Sequence, residues 1–174
     1  MTNHHKAAVI FLTGLSGAGK TTIAIALQQR LKDESVNPVM LDGDEIRKAI
    51  QLTGFDEESR KMHNLNVGRM AAQYEAEGSI VIVALIAPYE DIRNEIRKLC
   101  KQFIEVYVST DIKVCIERDP KGLYKKALSG EINEFTGISA PYFPPHNAEV
   151  TIDTAVVPVS ESVNKILFAL NNIE

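Results

Sequence analysis

The stretch GLSGAGKTT at 14–22 constrains this chain more than any other, because it lies between an apolar run, AAVIFLT (7–13), and a helix-like segment, IAIALQQRL (23–31). Gly14, four residues, then Gly19-Lys20-Thr21 in a strand-to-helix setting is the pattern of a phosphate-binding loop. Gly14, Gly17 and Gly19 let the backbone bend so that the amides of Leu15, Ser16, Ala18 and their neighbours, with the following helix N-terminus, form a cup for a polyphosphate. Lys20 adds a mobile positive charge. The Thr21 hydroxyl, followed by Thr22, suits a Mg²⁺ that bridges the outer phosphates. A ligand-free turn needs one or two glycines, not three in register with Gly-Lys-Thr.

At 174 residues the chain is long enough for one well-buried domain and too short for two of ordinary size, so residues 1–174 are read as a single unit. No stretch approaches the ~20 apolar residues of a membrane span. MTNHHKAAVIF lacks a signal-peptide pattern, and the expectation is a cytoplasmic protein. The net charge of −4 argues against a broad nucleic-acid-binding face, so any anionic substrate is held by a local cluster of cations. Cys100 and Cys115 lack metal-type spacing and read as reduced core thiols. His4 and His5 fall in a start expected to be disordered and receive no role.

Apolar runs alternate with helical patterns throughout, which predicts an α/β three-layer sandwich: a five-stranded parallel sheet with helices on both faces. Strands are expected at 7–13, 38–41, 79–87, 103–109 and 150–154. Helices are expected at 20–32, 44–51, 57–77, from 90 to about 100, at 111–118 and at 159–171. LTGFDEE reads as a turn before the helix at 57–77, on which Arg60, His63, Val67, Met70 and Tyr74 share a face and point inward. Between 119 and 146 periodicity stops. Three glycines, four prolines and the aromatics Tyr124, Phe135, Tyr142 and Phe143 favour a lid over a linker.

Ligands of an open parallel sheet bind at the carboxyl ends of its strands. Those positions hold the phosphate loop, then Asp42, Asp44 and Arg47, then Pro88-Tyr89, then Arg118 and the lid. Asp44 is placed to receive a proton from an attacking hydroxyl or to hold Mg²⁺ through water, and, directly before EIRKAI, equally placed to cap a helix. Arg47 and Arg60 have the planar, two-pronged group that grips phosphate or sulfate. Phe55 and Phe135, in loops, are suited to sandwiching a planar base.

These motifs resemble the adenylylsulfate kinases, which transfer the γ-phosphate of ATP to the 3′-hydroxyl of adenylyl sulfate. The resemblance rests on GLSGAGKTT, LDGDEIR (41–47), Gly54-Phe55 followed after four residues by Arg60, IVALIAPY (82–89), RDPKGLYKKA (118–127), GEINEFTGI (130–138) and PYFPP (141–145), which together span nearly the whole chain. It implies that Asp44 sits beside the reacting hydroxyl, with Lys20 as the second catalytic group. It also implies that Arg47 and Arg60 contact the phosphosulfate, that Phe55 and Phe135 stack on its adenine, and that Asp42, His63, Ile86 and Lys121 lie at other acceptor positions. Arg118 falls towards the ATP base. A Mg²⁺-dependent homodimer in sulfate assimilation follows from the same resemblance.

Four residues depart from the family pattern. Ala87 replaces a serine sometimes proposed to carry phosphate, which leaves direct in-line transfer. Glu90 replaces an arginine, and His63 and Asn66 stand where Asn and Arg are common. These positions all touch the acceptor side. They leave two alternatives to weigh: a kinase of the same build for another nucleotide diphosphate derivative, as in polysaccharide modification, and a regulatory NTPase switch without a small-molecule acceptor.

Overall fold

The computed structural model describes residues 5–51 and 54–173. Strand β1 (Ala8–Thr13) is buried on both faces, as its unbroken apolar sequence requires. It leads through the glycine loop into α1 (Lys20–Asp33), which presents Ile23, Ala24, Leu27 and Leu31 to the sheet. Then come β2 (Val39–Asp42), α2 (Gly43–Ala49), α3 (Glu57–Ala76), β3 (Ile80–Ala84), α4 (Glu90–Leu99) and β4 (Phe103–Val108). Two short helices, α5 (Ile112–Arg118) and α6 (Leu123–Leu128), precede β5 (Val150–Ile152) and α7 (Val159–Asn171).

All strand pairs are parallel, in the order β2-β3-β1-β4-β5. Register aligns the carboxyl ends: Leu12 pairs with Ala84, Asp42 also with Ala84, and Thr13 with Tyr107. Side-chain alternation along β1 then divides the core into two layers. Ala8, Ile10 and Leu12 pack under α1 and α7, while Val9 and Phe11 pack under α3 and α4. Helices therefore cover both faces, as the alternating pattern predicts. Among the described residues no helix is long and apolar enough to cross a membrane.

Several boundaries and faces differ from expectation. β3 ends at Ala84 rather than 87 because the chain leaves the ladder for the site: Leu85 N–H still reaches the Leu12 carbonyl, but Ala87 adopts a φ of +44°. β5 stops at Ile152, freeing Thr154. On α3 the inward face carries His63, Asn64, Val67, Gly68, Ala71 and Glu75, whereas Met70 and Tyr74 are exposed. The cause is Gly68. A β-carbon there would lie 2.5 Å from Ile96 Cγ1, so the bare backbone packs on α4 and sets the helix rotation. Glu75, carried inward with it, accepts from the amides of Lys101 and Gln102 at 2.9 and 2.6 Å.

The segment 119–146 is not structureless, since it contains α6 and a bridge between Thr136 and Ala140. His5 is no loose end either. Its ring meets Glu34 at 3.1 Å with 1 % of the side chain exposed. His4 and, in the LTGFDEE turn, Leu52 and Thr53 lie outside the described residues. Both cysteines are free, Cys115 buried and Cys100 half-buried, and burial first of all pushes the Cys100 thiol up to about 12.

Among the described residues, Arg93 of α4 is the largest fully buried side chain, and it was not legible as one. Its guanidinium donates to Glu105 at 2.8 Å, to the Ala87 carbonyl at 2.7 Å and to the Phe143 carbonyl at 2.8 Å. One residue thus ties the sheet, the turn after β3 and the end of the 119–146 segment. Removing one partner strands the others in a dry interior, so Arg93→Met is expected to cost about 3 kcal/mol in urea unfolding, while a change below ~1 kcal/mol would contradict this account.

Candidate active site

At the aligned carboxyl edge lies a cleft of about 690 Å³, bounded by residues at or beyond the ends of β1, β2, β3 and β5, by Arg118 at the end of α5, and by Pro120 and Lys121 beyond it. The glycine loop forms one end of it. Gly14 has φ +154°, and a β-carbon there would meet the Val108 carbonyl at 2.5 Å; Gly19, at φ +104°, would meet Thr154 Cγ2 at 3.1 Å. Only glycine fits both places.

The loop carbonyls are each held by a side chain. Lys20 Nζ donates to the carbonyls of Gly14 and Leu15 at 2.9 and 2.7 Å. Tyr124 Oη donates to Ser16 O at 2.8 Å, Arg118 Nη1 to Gly17 O at 3.3 Å, and Thr154 Oγ1 to Ala18 O at 2.7 Å. A trans peptide points its N–H opposite to its C=O. With Ser16 O held by Tyr124 and Ala18 O by Thr154, the Gly17 and Gly19 amides of the same two peptides are fixed pointing the opposite way, and both glycines line the cleft. This is an anion cup with its donors oriented before any anion arrives.

Lys20 lies at the base of the cup. Burial lowers its pKa to about 8, and the charge of Lys121 adds to that, while Asp44 and Asp42 oppose it. Thr21 Oγ1 donates to Asp42 Oδ2 at 3.1 Å. A hydroxyl and a carboxylate so placed are the hard oxygen donors that Mg²⁺ takes when phosphates and water complete its shell.

The two aspartates divide their tasks. Asp42, not Asp44, caps α2, its carboxylate accepting from the amides of Asp44 and Glu45 at 2.9 and 3.3 Å. Asp44 is free to face across the cleft, where it pairs with Lys121. Burial works to raise the Asp44 pKa, but the Lys121 hydrogen bond and charge, with Lys20 and Lys48, outweigh it and hold the carboxyl below its usual range.

Acceptor candidates occupy the opposite wall. The Arg47 guanidinium lies 4.7 Å over the Phe55 ring and donates to Gly54 O. Arg60 reaches the Glu134 carbonyl, linking α3 to the 119–146 segment. The His63 ring is buried, Nε2 donating to Gly43 O at 3.1 Å while Nδ1 has no partner among the described residues. Burial, then the Arg47 charge, lowers its pKa, so the ring is neutral at pH 7. The Ile86 carbonyl accepts from Thr13 Oγ1 at 2.6 Å, which pins the turn after β3.

Three expected groups are not brought to the cleft wall. Phe135 packs edge-on against Tyr124, centroids 5.1 Å apart, and Thr136 rather than Phe135 lines the cleft. Gly14, Leu15 and Ala18 lie behind the cup rather than in it. Of the departing residues, Asn66 is exposed and accepts from Arg69, while its neighbour Asn64 turns into the cleft. Glu90 pairs with His146 at 2.7 Å, away from the cleft. Sequence reasoning missed Pro120, Thr136, Thr154 and Val159, all of which line it. Only Thr154 had a usable signal, its place just past a strand end.

A phosphate cup at one end of a parallel sheet, with an ionised carboxylate and a cationic wall facing it, defines a P-loop kinase. The profile of the family described as adenylylsulphate kinase matches residues 6–153. Adenylyl-sulfate kinase of Staphylococcus epidermidis is 45% identical over 175 residues, covering 99% of this chain and 88% of that protein. The enzyme of the same name from Rippkaea orientalis is 48% identical over 158 residues, covering 90% and 87%. Among solved structures, the Mycobacterium tuberculosis APS kinase in complex with AMPPNP and APS superposes with a TM-score of 0.91 at 31% identity, covering 96% of this chain and 99% of that one. The chain belongs to the adenylyl-sulfate kinase family.

Proposed function

We propose that this enzyme transfers the γ-phosphoryl group of Mg-ATP to the 3′-hydroxyl of adenylyl sulfate, giving 3′-phosphoadenylyl sulfate and ADP. The observation that carries the reading is the single cleft in which the anion cup and Lys20 face Asp44, with Arg47, Arg60 and Phe55 beyond it.

The loop amides and Lys20 hold the donor phosphates, and Arg118 lies beside them on the base side. Thr21 Oγ1 and Asp42 would hold a Mg²⁺, which would supply charge neutralisation for the donor phosphates. The ionised Asp44 accepts a hydrogen bond from the acceptor hydroxyl, orients it in line and takes its proton as the new O–P bond forms and the bond to the ADP oxygen breaks; a loose transition state asks for position more than for a strong base. Arg47 and Arg60 neutralise the phosphosulfate, and Phe55, exposed at the cleft mouth, stacks on the base. Lys121 and the 119–146 segment close over the site and exclude water, which protects ATP from hydrolysis. A single kinase domain over 1–174, homodimeric assembly and a cytoplasmic location complete the proposal.

Phe55→Ala is expected to raise the KM for adenylyl sulfate by about tenfold, the size of a lost base stack, with the KM for ATP unchanged. A change confined to ATP would remove Phe55 from the acceptor side. The overall test offers purified protein Mg-ATP with a panel of nucleotide acceptors and identifies products by mass. Phosphorylated adenylyl sulfate is the expected product. Transfer only to another nucleotide, or ATP hydrolysis alone, would overturn the reading.

A further inference from the structure

Thr154 stands just past β5, where nothing in the resemblance assigns it a task, and its polar atoms are fully engaged. Its hydroxyl donates to the Ala18 carbonyl at 2.7 Å, the nearer of two hydroxyls on that oxygen, Thr110 Oγ1 standing at 3.2 Å. The two lone pairs of Oγ1 then receive Arg118 Nη1 at 2.8 Å and the Thr110 hydroxyl at 2.8 Å. The Thr154 carbonyl takes Arg118 Nη2 at 3.2 Å, and its N–H donates to Thr110 Oγ1 at 3.0 Å. Two of the three acceptors that hold the Arg118 guanidinium thus belong to Thr154; the third is Gly17 O, in the loop itself.

This arrangement acts on the donor site in two ways. Holding Ala18 O fixes the Ala18–Gly19 peptide and with it the direction of the Gly19 amide, and the side chain of Thr154 lies where a Gly19 β-carbon would come within 3.1 Å. Holding both Nη atoms of Arg118 fixes the plane of a guanidinium that is otherwise exposed and free to sample many rotamers. No other described side chain hydrogen-bonds both a loop carbonyl and Arg118.

We propose that Thr154 is a positioning residue for the donor nucleotide, acting through the Ala18–Gly19 peptide and through Arg118, and without influence on the acceptor half of the cleft. The proposal rests on the reading of the glycine loop and Arg118 as the ATP side. It is the shared strut between phosphate cup and base platform. Valine in its place keeps the shape but removes the hydroxyl, leaving Ala18 O with only the longer Thr110 Oγ1 contact at 3.2 Å and Arg118 with only the Gly17 and residue 154 carbonyls. Serine restores both bonds.

The test is calorimetric titration of the full-length protein with Mg²⁺ and a non-hydrolysable ATP analogue, alongside steady-state kinetics for both substrates. Thr154→Val is expected to weaken analogue binding and raise the KM for ATP by about tenfold, with the KM for adenylyl sulfate within about twofold of the native value. Thr154→Ser is expected to stay within about threefold of the native protein for both, and Thr154→Val combined with Arg118→Ala to lose less than the product of the single effects. If Thr154→Val does not melt cooperatively, Thr154→Ala is titrated in its place. Native-like analogue binding after loss of the hydroxyl overturns the proposal, as does an equal rise in both KM values. Should the native enzyme leave adenylyl sulfate unphosphorylated while the titrations respond as expected, the acceptor reading fails and the role of Thr154 stands.

Discussion

Lys20→Ala is expected to abolish phosphoryl transfer, lowering kcat/KM for ATP by at least about 10³-fold, the scale of losing a cation that stabilises transition-state charge on the phosphates. The fold is expected to survive. Lys20 Nζ holds the Gly14 and Leu15 carbonyls, but Ser16 and Ala18 stay tied by Tyr124 and Thr154, so most of the loop keeps its anchors. Coupled-assay kinetics and a thermal melt check both halves, and native turnover in this variant would remove the loop from the chemistry. The native enzyme offers a companion result. Because burial, with Lys121, brings Lys20 to about 8, the lysine is charged below that pH and neutral above it. The kcat/KM for ATP, which reports the free enzyme, is therefore expected to fall about tenfold per unit as pH rises beyond 8. A flat profile from pH 7 to 10 would show that the charge of Lys20 is not what holds the phosphates.

Asp44→Asn is expected to lower kcat by about 10²–10⁴-fold while leaving the KM for ATP near its native value. The amide cannot take the hydroxyl proton or carry the negative charge that Lys121 now meets. Stability gives little cover for another explanation. The Asp44 and Lys121 side chains are 59 % and 53 % exposed, and an ion pair so open to water contributes only ~0–1 kcal/mol. Nor is a helix cap lost, since Asp42 caps α2. A variant that keeps native kcat would reduce Asp44 to a partner of Lys121.

The fold was legible wherever periodicity was strong. Unbroken apolar runs became the buried strands β1 and β3, an apolar run interrupted by Glu105 became β4, and the 23, 27, 31 stripe became the buried face of α1. Legibility failed where a single contact outweighed the pattern. Met70 and Tyr74 fit the stripe with His63 and Val67, yet the close packing of Gly68 on Ile96 turned them to solvent and brought Asn64 inward. Arg93 reads as one cation of a polar helix, and only its three buried acceptors show it to be structural.

The presence of the phosphate cup was determined by sequence alone, because three glycines, the lysine and the threonine that make it lie within nine contiguous residues, while Tyr124, Arg118 and Thr154 hold its carbonyls from far along the chain. What faces the cup was decided by the tertiary structure. Asp44 meets Lys121 across 77 residues, Arg60 meets Glu134 across 74, and Thr154 meets Ala18 across 136. No local spacing encodes such pairs. They exist because parallel strands in register deliver the loops of distant segments to one edge, where hydrogen bonds between them set the direction of each group.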